Sequence, residues 1–369
     1  MLTKGDDYPI HQSAEPVAYS GTDRNFYDRY WFNGYNADAT VFFAVAFGIY
    51  PHLGIMDGSI SVVHEGVQHN IRTSRHLGWE RMDTRVGPLA IEVIEPLRKL
   101  RVRLDENEYG ISADIVFECL APAMEEPRFS RRIGQRTFMD YTRMTQNGRY
   151  QGWIDVKGSR IELTHSTFRG TRDRSWGVRP IGMSDPQPPV PALPMHMFWL
   201  WAPLNFDDCF TLFHINADEK GEPWNTAAVI GQLGDNAAVE HFKNPRSELE
   251  FKPGSRHAVA ARLFFPHRNG SETLIELTPK WRYFMSGVGY FHPEWGHGMN
   301  KGPLATSYDT IRLAEIQTYL PPYLHIEALV SARMTSPDGR VRQGFGVLEQ
   351  LIIGPYQPYG FKELLDPAA

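Results

Sequence analysis

Ser59-Ile60-Ser61-Val62-Val63, then His64-Glu65-Gly66, then Val67-Gln68-His69-Asn70-Ile71 is the stretch that decides the fold. Two runs rich in β-branched residues flank a short turn, which predicts a β-hairpin. The same grammar recurs on either side. Val41-Phe42-Phe43-Ala44-Val45-Ala46-Phe47 is a strand-like run, and Leu97 to Leu104 alternates as a half-buried strand should. Arg149 to Leu163 holds two further strands around Lys157-Gly158, and Pro337-Asp338-Gly339 turns the chain between extended segments. Aromatic residues make up 12% of the chain, with 32 Gly and 27 Pro, a turn-rich composition that favours an all-β architecture. Ser130 to Asn147 and Lys362 to Leu365 are the only modest helix candidates.

A chain of 369 residues accommodates two domains at about 150 residues each. Arg179 to Pro194 carries Pro180, Pro186, Pro188, Pro189, Pro191 and Pro194, too many missing N–H donors for a strand and the composition of a stiff connector. The expected organisation is therefore a β domain over 1–180, a linker over 181–194 and a second β domain over 195–369. The net charge of −5 lacks the basic footprint of a nucleic-acid binder. No apolar run reaches the roughly 20 residues of a membrane-spanning helix. The first residues, Met1 to Asp7, have no apolar stretch behind Lys4, so no secretory signal is expected. Cys119 and Cys209 are too few for a disulfide framework or a cysteine-based zinc site, and a cytoplasmic location is expected.

The two halves share short signatures. Gly170-Thr171-Arg172-Asp173-Arg174-Ser175-Trp176-Gly177 and Gly289-Tyr290-Phe291-His292-Pro293-Glu294-Trp295-Gly296 both run from Gly to Trp-Gly with ionisable groups between. Tyr30-Trp31-Phe32 and Phe198-Trp199-Leu200 open the two halves in the same way. The longer first half places an insertion around Ala121 to Asn147. A Trp beside a Gly also suits a barrel plug, and Arg169, Arg172, Asp173 and Arg174 suit a salt-bridge network.

At these residues the sequence resembles the carotenoid 1,2-hydratase (hydroxyneurosporene synthase) superfamily of two-domain lipocalin-like proteins, an architecture shared with decalin-forming Diels–Alderases. The family signature is roughly Gly-x-Gly-Tyr-x-Asp-x-Asn-x-Gly. Gly287 to Gly296 follows its frame, with His292 in place of Asp and Glu294 in place of Asn. The first copy keeps Asp173 and Trp176-Gly177 but has Thr171 and Ser175 at the Tyr and Asn positions. The resemblance implies two tandem lipocalin-like β domains and cofactor-free chemistry on an apolar, unsaturated small molecule.

Adding a proton to carbon needs a carboxylic acid kept protonated by an apolar setting, aromatic faces for the cation, and a held water. Asp173 is the acid expected from the first copy, with Trp176 beside it. On a strand Arg172 and Arg174 face away from Asp173. In the second copy Tyr290, His292 and Glu294 alternate onto one face as an acid–base set, unless Pro293 makes the segment a surface turn. Trp176, Trp199, Trp201, Trp295 and Arg172 are the expected substrate-binding residues. His292 and His297, like His64 and His69, lie five apart, unlike the helical pair of a zinc peptidase, and no metal site is expected. Without a Gly-rich phosphate loop or a nucleophile elbow, no nucleotide cofactor or serine hydrolase is expected either. Two functions compete: a cofactor-independent lyase or isomerase (hydratase, dehydratase or cyclase) on a terpenoid, steroid or polyketide, and a non-catalytic carrier of a hydrophobic molecule. A protein acting through contacts alone is the third. Titratable groups gathered at one site favour the enzyme.

Overall fold

Glu65 (φ 50) and Gly66 (φ 75) both take the left-handed conformation of a tight hairpin turn, so the deciding stretch is a hairpin in the structure as in the sequence. The structure is a computed structural model and describes residues 1–11, 16–187, 189–192, 195–234, 238–316 and 320–369. Pro188 and Pro194 of the expected linker lie outside the described residues. Helix is confined, among the described residues, to short 3-10 turns, and the all-β reading stands.

The chain divides into two units. The first takes residues 1–193 and 287–312, the second 194–286 and 313–369. A second domain running unbroken from 195 to 369 is therefore corrected: the segment 287–312 leaves it and packs with the first unit.

Unit 1 is built from β1 (Phe26–Asn36), β2 (Val41–Tyr50), β3 (Ile55–His64), β4 (Val67–His76), β5 (Arg85–Val86), β6 (Leu89–Glu95), β7 (Lys99–Leu104) and β8 (Ile111–Cys119). It continues through β9 (Met124–Glu125), β10 (Phe129–Ile133), β11 (Arg136–Val156), β12 (Ser159–Leu163) and β13 (Phe168–Val178). Unit 2 contains β14 (Met197–Phe206), β15 (Cys209–Ala217), β16 (Pro223–Gln232), β17 (Val239–His241), β18 (Arg246–Phe251), β19 (Ala258–Pro266) and β20 (Glu272–Phe284). After β20 the chain contributes β21 (Leu304–Arg312) to unit 1, then returns for β22 (Ile326–Thr335) and β23 (Val341–Ile353).

The main path of the first sheet is β21-β4-β3-β2-β1-β13-β11-β8-β7-β6-β5, and β5 comes back beside β3 and β4 to make a nearly closed barrel. The second sheet runs β17-β16-β15-β14-β23-β22-β20-β19-β18 and stays open, a half-barrel. The topologies match: each first strand, β1 or β14, lies between the second strand and the last. The Tyr30 and Phe198 triplets thus mark equivalent strands.

The other signature pair is not equivalent. Its first member is strand β13, whose counterpart in unit 2 is β23. Its second member, 289–296, is an irregular loop of unit 1 that contains Pro293 and is bent by the positive φ of Gly289 and Phe291. The helix expected over Ser130 to Asn147 is instead a β-hairpin, β10 turning at Gly134 (φ 56) into β11. Its Thr, Tyr and Met residues pack well on a pleated surface, and that preference wins. Lys362 to Leu365 is not helical either; the N–H groups of Lys362 and Glu363 donate to the Asp366 carboxylate.

Phe32, Phe43, Phe47, Phe117 and Tyr150 fill the waist of the first barrel, with Phe43 and Phe117 edge-on to Tyr150 at 5.0 and 5.4 Å. Unit 2 has its own apolar core. Since inward and outward residues alternate, the opposite face of the unit 1 sheet carries Tyr27, Arg29, Trp31 and Asn33 of β1. That face is also buried, which is unusual for a row of polar side chains.

Candidate functional site

On the non-core face, β1, β2 and β3 set Arg29, Gly48 and Asp57 in one cross-strand row. Gly48 is required there. A Cβ would overlap the Tyr50 phenol, which folds back across this position and donates to Asp57 Oδ1 at 3.1 Å. The second carboxylate oxygen, Oδ2, accepts the N–H of Gly298 at 2.7 Å, a residue at φ 74 on the crossing segment.

The same segment supplies the groups around Arg29. Its guanidinium, 3% exposed, donates to the Tyr290 hydroxyl at 3.0 Å and lies 5.0 Å from that ring. His297 stands edge-on to Tyr290 at 4.5 Å. His297 Nε2 lies 2.8 Å from the Val288 carbonyl, and the Arg29 guanidinium meets both ring nitrogens, at 3.2 Å from Nδ1 and 3.0 Å from Nε2. Arg179 lies 4.5 Å from the Tyr27 ring and 5.9 Å from that of Tyr290. One carboxyl group is thus bonded to Tyr50 and lies in the field of two guanidiniums, Arg29 and Arg179, which in turn pack on Tyr290 and Tyr27.

Burial pushes the Asp57 carboxyl up to about 6, and this outweighs the opposing pull of the Gly298 N–H, the Arg29 charge and the Tyr50 hydroxyl. Burial likewise raises the phenols of Tyr27 and Tyr50, so both stay protonated at neutral pH. A hollow of about 20 Å³ adjoins Asp57, with Ser59, Arg72, Trp295 and His297 among its walls. That is room for one water. The described residues include no group of three or more His, Cys, Asp or Glu able to hold a metal ion.

The residues expected from the sequence are distributed unevenly around this centre. Tyr290 is in it. Asp173 is half-buried on the same sheet face, opposite Trp31 and Thr145 and one row from Arg29, and its charge acts on Arg143. Arg172 faces the barrel interior, as strand alternation predicts; it is fully buried and paired with Asp7 at 2.5 Å. Arg174 pairs there with Asp28 at 2.6 Å. Trp176 also points that way and stacks on His11 at 3.9 Å. These side chains seal one end of the barrel, on the opposite face from Asp57.

His292 shapes a turn. Its Nδ1 accepts the N–H groups of Glu294 and Trp295, at 3.2 and 3.0 Å, and its Nε2 lies 3.7 Å from Asp309. Glu294 is exposed. The expected Tyr-His-Glu row therefore does not form, because Pro293 and the positive φ of Phe291 break the strand that would have aligned it. Trp295 is half-buried at the wall of the hollow, with the Lys301 ammonium 5.2 Å from its ring. Trp199 and Trp201 belong to unit 2, on the face of β14 away from its core.

Arg29, Tyr50, Asp57, Arg179 and His297 are functional candidates that the sequence reading missed. A single Asp in a strand reads as a solvent-facing residue, and its backbone donor, Gly298, lies 241 positions away. Only the Gly48-Ile49-Tyr50 spacing, which lets a phenol fold over a glycine, carries a local trace of it.

A family of unknown function, DUF8625, matches residues 2–362. The chain belongs to this family. No curated protein matches the sequence. Among solved structures, the fold of this DUF8625 member is similar to kievitone hydratase from Nectria haematococca, at TM-score 0.54 and 13% identity over 88% of each chain. A putative AttH from Nitrosomonas europaea gives 0.52 and 12%, over 94% of this chain and 99% of that one. CghA gives 0.52 and 11%, over 94% and 95%, and has also been solved with Sch210972. At these identities the shared property is the two-domain lipocalin-like fold.

Proposed function

We propose that this protein is a cofactor-independent acid–base catalyst, a hydratase, dehydratase or cyclase, that acts on an apolar unsaturated small molecule with Asp57 as its acid. The observation that carries this reading is the Asp57 carboxyl, raised to about 6 by burial and held by the Tyr50 hydroxyl and the Gly298 N–H. An acid so tuned keeps its proton to about two pH units higher than an ordinary carboxyl and exchanges it near pH 6, where it can both give and take one. Asp173, first expected in this role, faces the charge of Arg143, a poorer setting for a proton donor.

The hollow beside Asp57 holds one water, so an alkene reaches the acid only when the covering segment 287–312 moves aside; in a hydration Asp57 then gives its proton to one alkene carbon and the cation forms at the other. Trp295, which walls the hollow beside Asp57, is the ring placed to meet that cation. Water in the adjoining hollow attacks it, and the Asp57 carboxylate takes the released proton, restoring the acid. Dehydration runs the same steps backwards; in ring closure a second alkene of the substrate attacks in place of water, and the new cation gives up a C–H proton to the Asp57 carboxylate. The fold of a protein named as a hydratase supports the class, without fixing the substrate.

The test uses D₂O. Extracts of terpenoid, steroid and polyketide alkenes are incubated with the wild type and with Asp57→Asn, and products are read by mass spectrometry. Deuterium in a product formed by the wild type and lost in the variant is the expected result. Ligands retained by both proteins and recovered unchanged would place the protein among carriers instead.

A further inference from the structure

The second unit holds a cavity of about 630 Å³ that the chemistry at Asp57 does not use. It opens at one end of the half-barrel, among Asp208 and Cys209, the Ile230 and Val239 ends of β16 and β17, His267 and Thr273, and the β22–β23 turn; β17 lines it and β18 does not. In unit 1 the strand equivalent to β17 is β4, and its free edge is covered by β21. β17 is three residues long and pairs only with β16 among the described residues. The two related sheets therefore differ at this edge, covered by a strand in one and bordered, at the barrel end, by a ligand-sized space in the other.

The walls say what would fit. Cys209, Ile230, Val239 and Met334 supply an apolar surface. The fixed charges facing the space balance, two guanidiniums against two carboxylates: Asp208 accepts from Arg340 at 2.8 Å and from Arg342 at 3.0 Å, and Glu240 lies 3.8 Å from His267. An anionic head group would compete with Asp208 for its guanidiniums, and a cation would compete with those guanidiniums for Asp208. The Cys209 thiol, raised to about 12 mainly by burial, stays neutral. Gln232 at the rim, Thr273, which is bonded to His267, and Ser336, which accepts from Arg342, remain as hydrogen-bonding groups.

We infer that this cavity at the open end of the second half-barrel is a binding site for an uncharged amphiphile, an apolar body carrying a hydroxyl or carbonyl group. This site is separate from the one around Asp57 and does not depend on any activity there.

The experiment titrates the full chain with N-phenyl-1-naphthylamine, a neutral apolar fluorophore, and then displaces it. Saturable binding at one site per chain is expected. Met334→Trp fills the floor, and Gln232→Trp, at an exposed rim position, narrows the mouth with little risk to folding; each weakens binding at least tenfold. A neutral terpenoid alcohol displaces the dye at least tenfold better than a fatty carboxylate of the same length at pH 8. Absence of saturable binding, or unchanged affinity in both tryptophan variants, overturns the site. Equal displacement by the carboxylate overturns the ligand class. Loss of binding in Asp57→Asn would move the dye to the first unit and overturn the assignment as well.

Discussion

Replacing Asp57 by Asn makes the protein more stable at pH 8 and leaves it nearly unchanged near pH 4. The carboxyl group titrates at about 6 in the folded chain against a reference of 3.8, so folding takes up a proton between those values. A group raised in this way contributes fully below pH 3.8, and its contribution is lost as pH rises through about 6. Above that range the folded protein carries a buried carboxylate at a cost of roughly 2 pKa units, or ~3 kcal/mol. Asn is neutral throughout. Its carbonyl can accept the Gly298 N–H and its amide can donate to the Tyr50 oxygen, so the replacement forfeits only ~1 kcal/mol of hydrogen bonding. The variant should therefore gain about 2 kcal/mol at pH 8 and gain nothing, or lose slightly, at pH 4. Urea unfolding of both proteins at several pH values between 4 and 8 measures the difference. A gap that does not change with pH, or a variant less stable at pH 8, would refute the argument that burial controls this carboxyl group.

Three further outcomes follow from the same geometry. Arg172→Met leaves the buried Asp7 carboxylate unpaired and should cost about 3–5 kcal/mol in urea unfolding, with Asp7→Asn in the same chain recovering at least half. Gly48→Ala pushes the Tyr50 phenol off Asp57 and should cost about 1–3 kcal/mol, while Gly48→Ala/Tyr50→Phe recovers little, since the ring still clashes. Glu294→Gln, at an exposed turn position, should change stability by no more than about 0.5 kcal/mol and leave deuterium incorporation intact; a large loss of turnover would restore Glu294 to the site.

Local turn chemistry made most of the fold legible. Glu65-Gly66, Lys157-Gly158 and Pro337-Asp338-Gly339 all sit between paired strands, because a residue that tolerates left-handed backbone signals its conformation without help from the rest of the chain. The Tyr30 and Phe198 triplets also mark matching first strands. The Gly-to-Trp-Gly signatures misled because similar letters at 170–177 and 289–296 take different backbones, extended in one and bent at Gly289 and Phe291 in the other. Strand alternation correctly turned Arg172 and Arg174 away from Asp173. It could not find Asp57, whose altered acidity comes from long-range burial and from a donor at Gly298. Tyr290 was found through the family frame, whereas its partner Arg29, in an ordinary-looking strand, had no sequence signal of its own.

The loan of 287–312 from the middle of the second unit's strands has a consequence for anyone dissecting the molecule. A fragment cut at the proline-rich stretch would carry Arg29 and Asp57 but lack Tyr290, His297, Gly298 and the strand that borders β4. The two halves are thus encoded in interleaved order, and a working first half has to be rebuilt by permuting or grafting the loaned piece rather than by truncation.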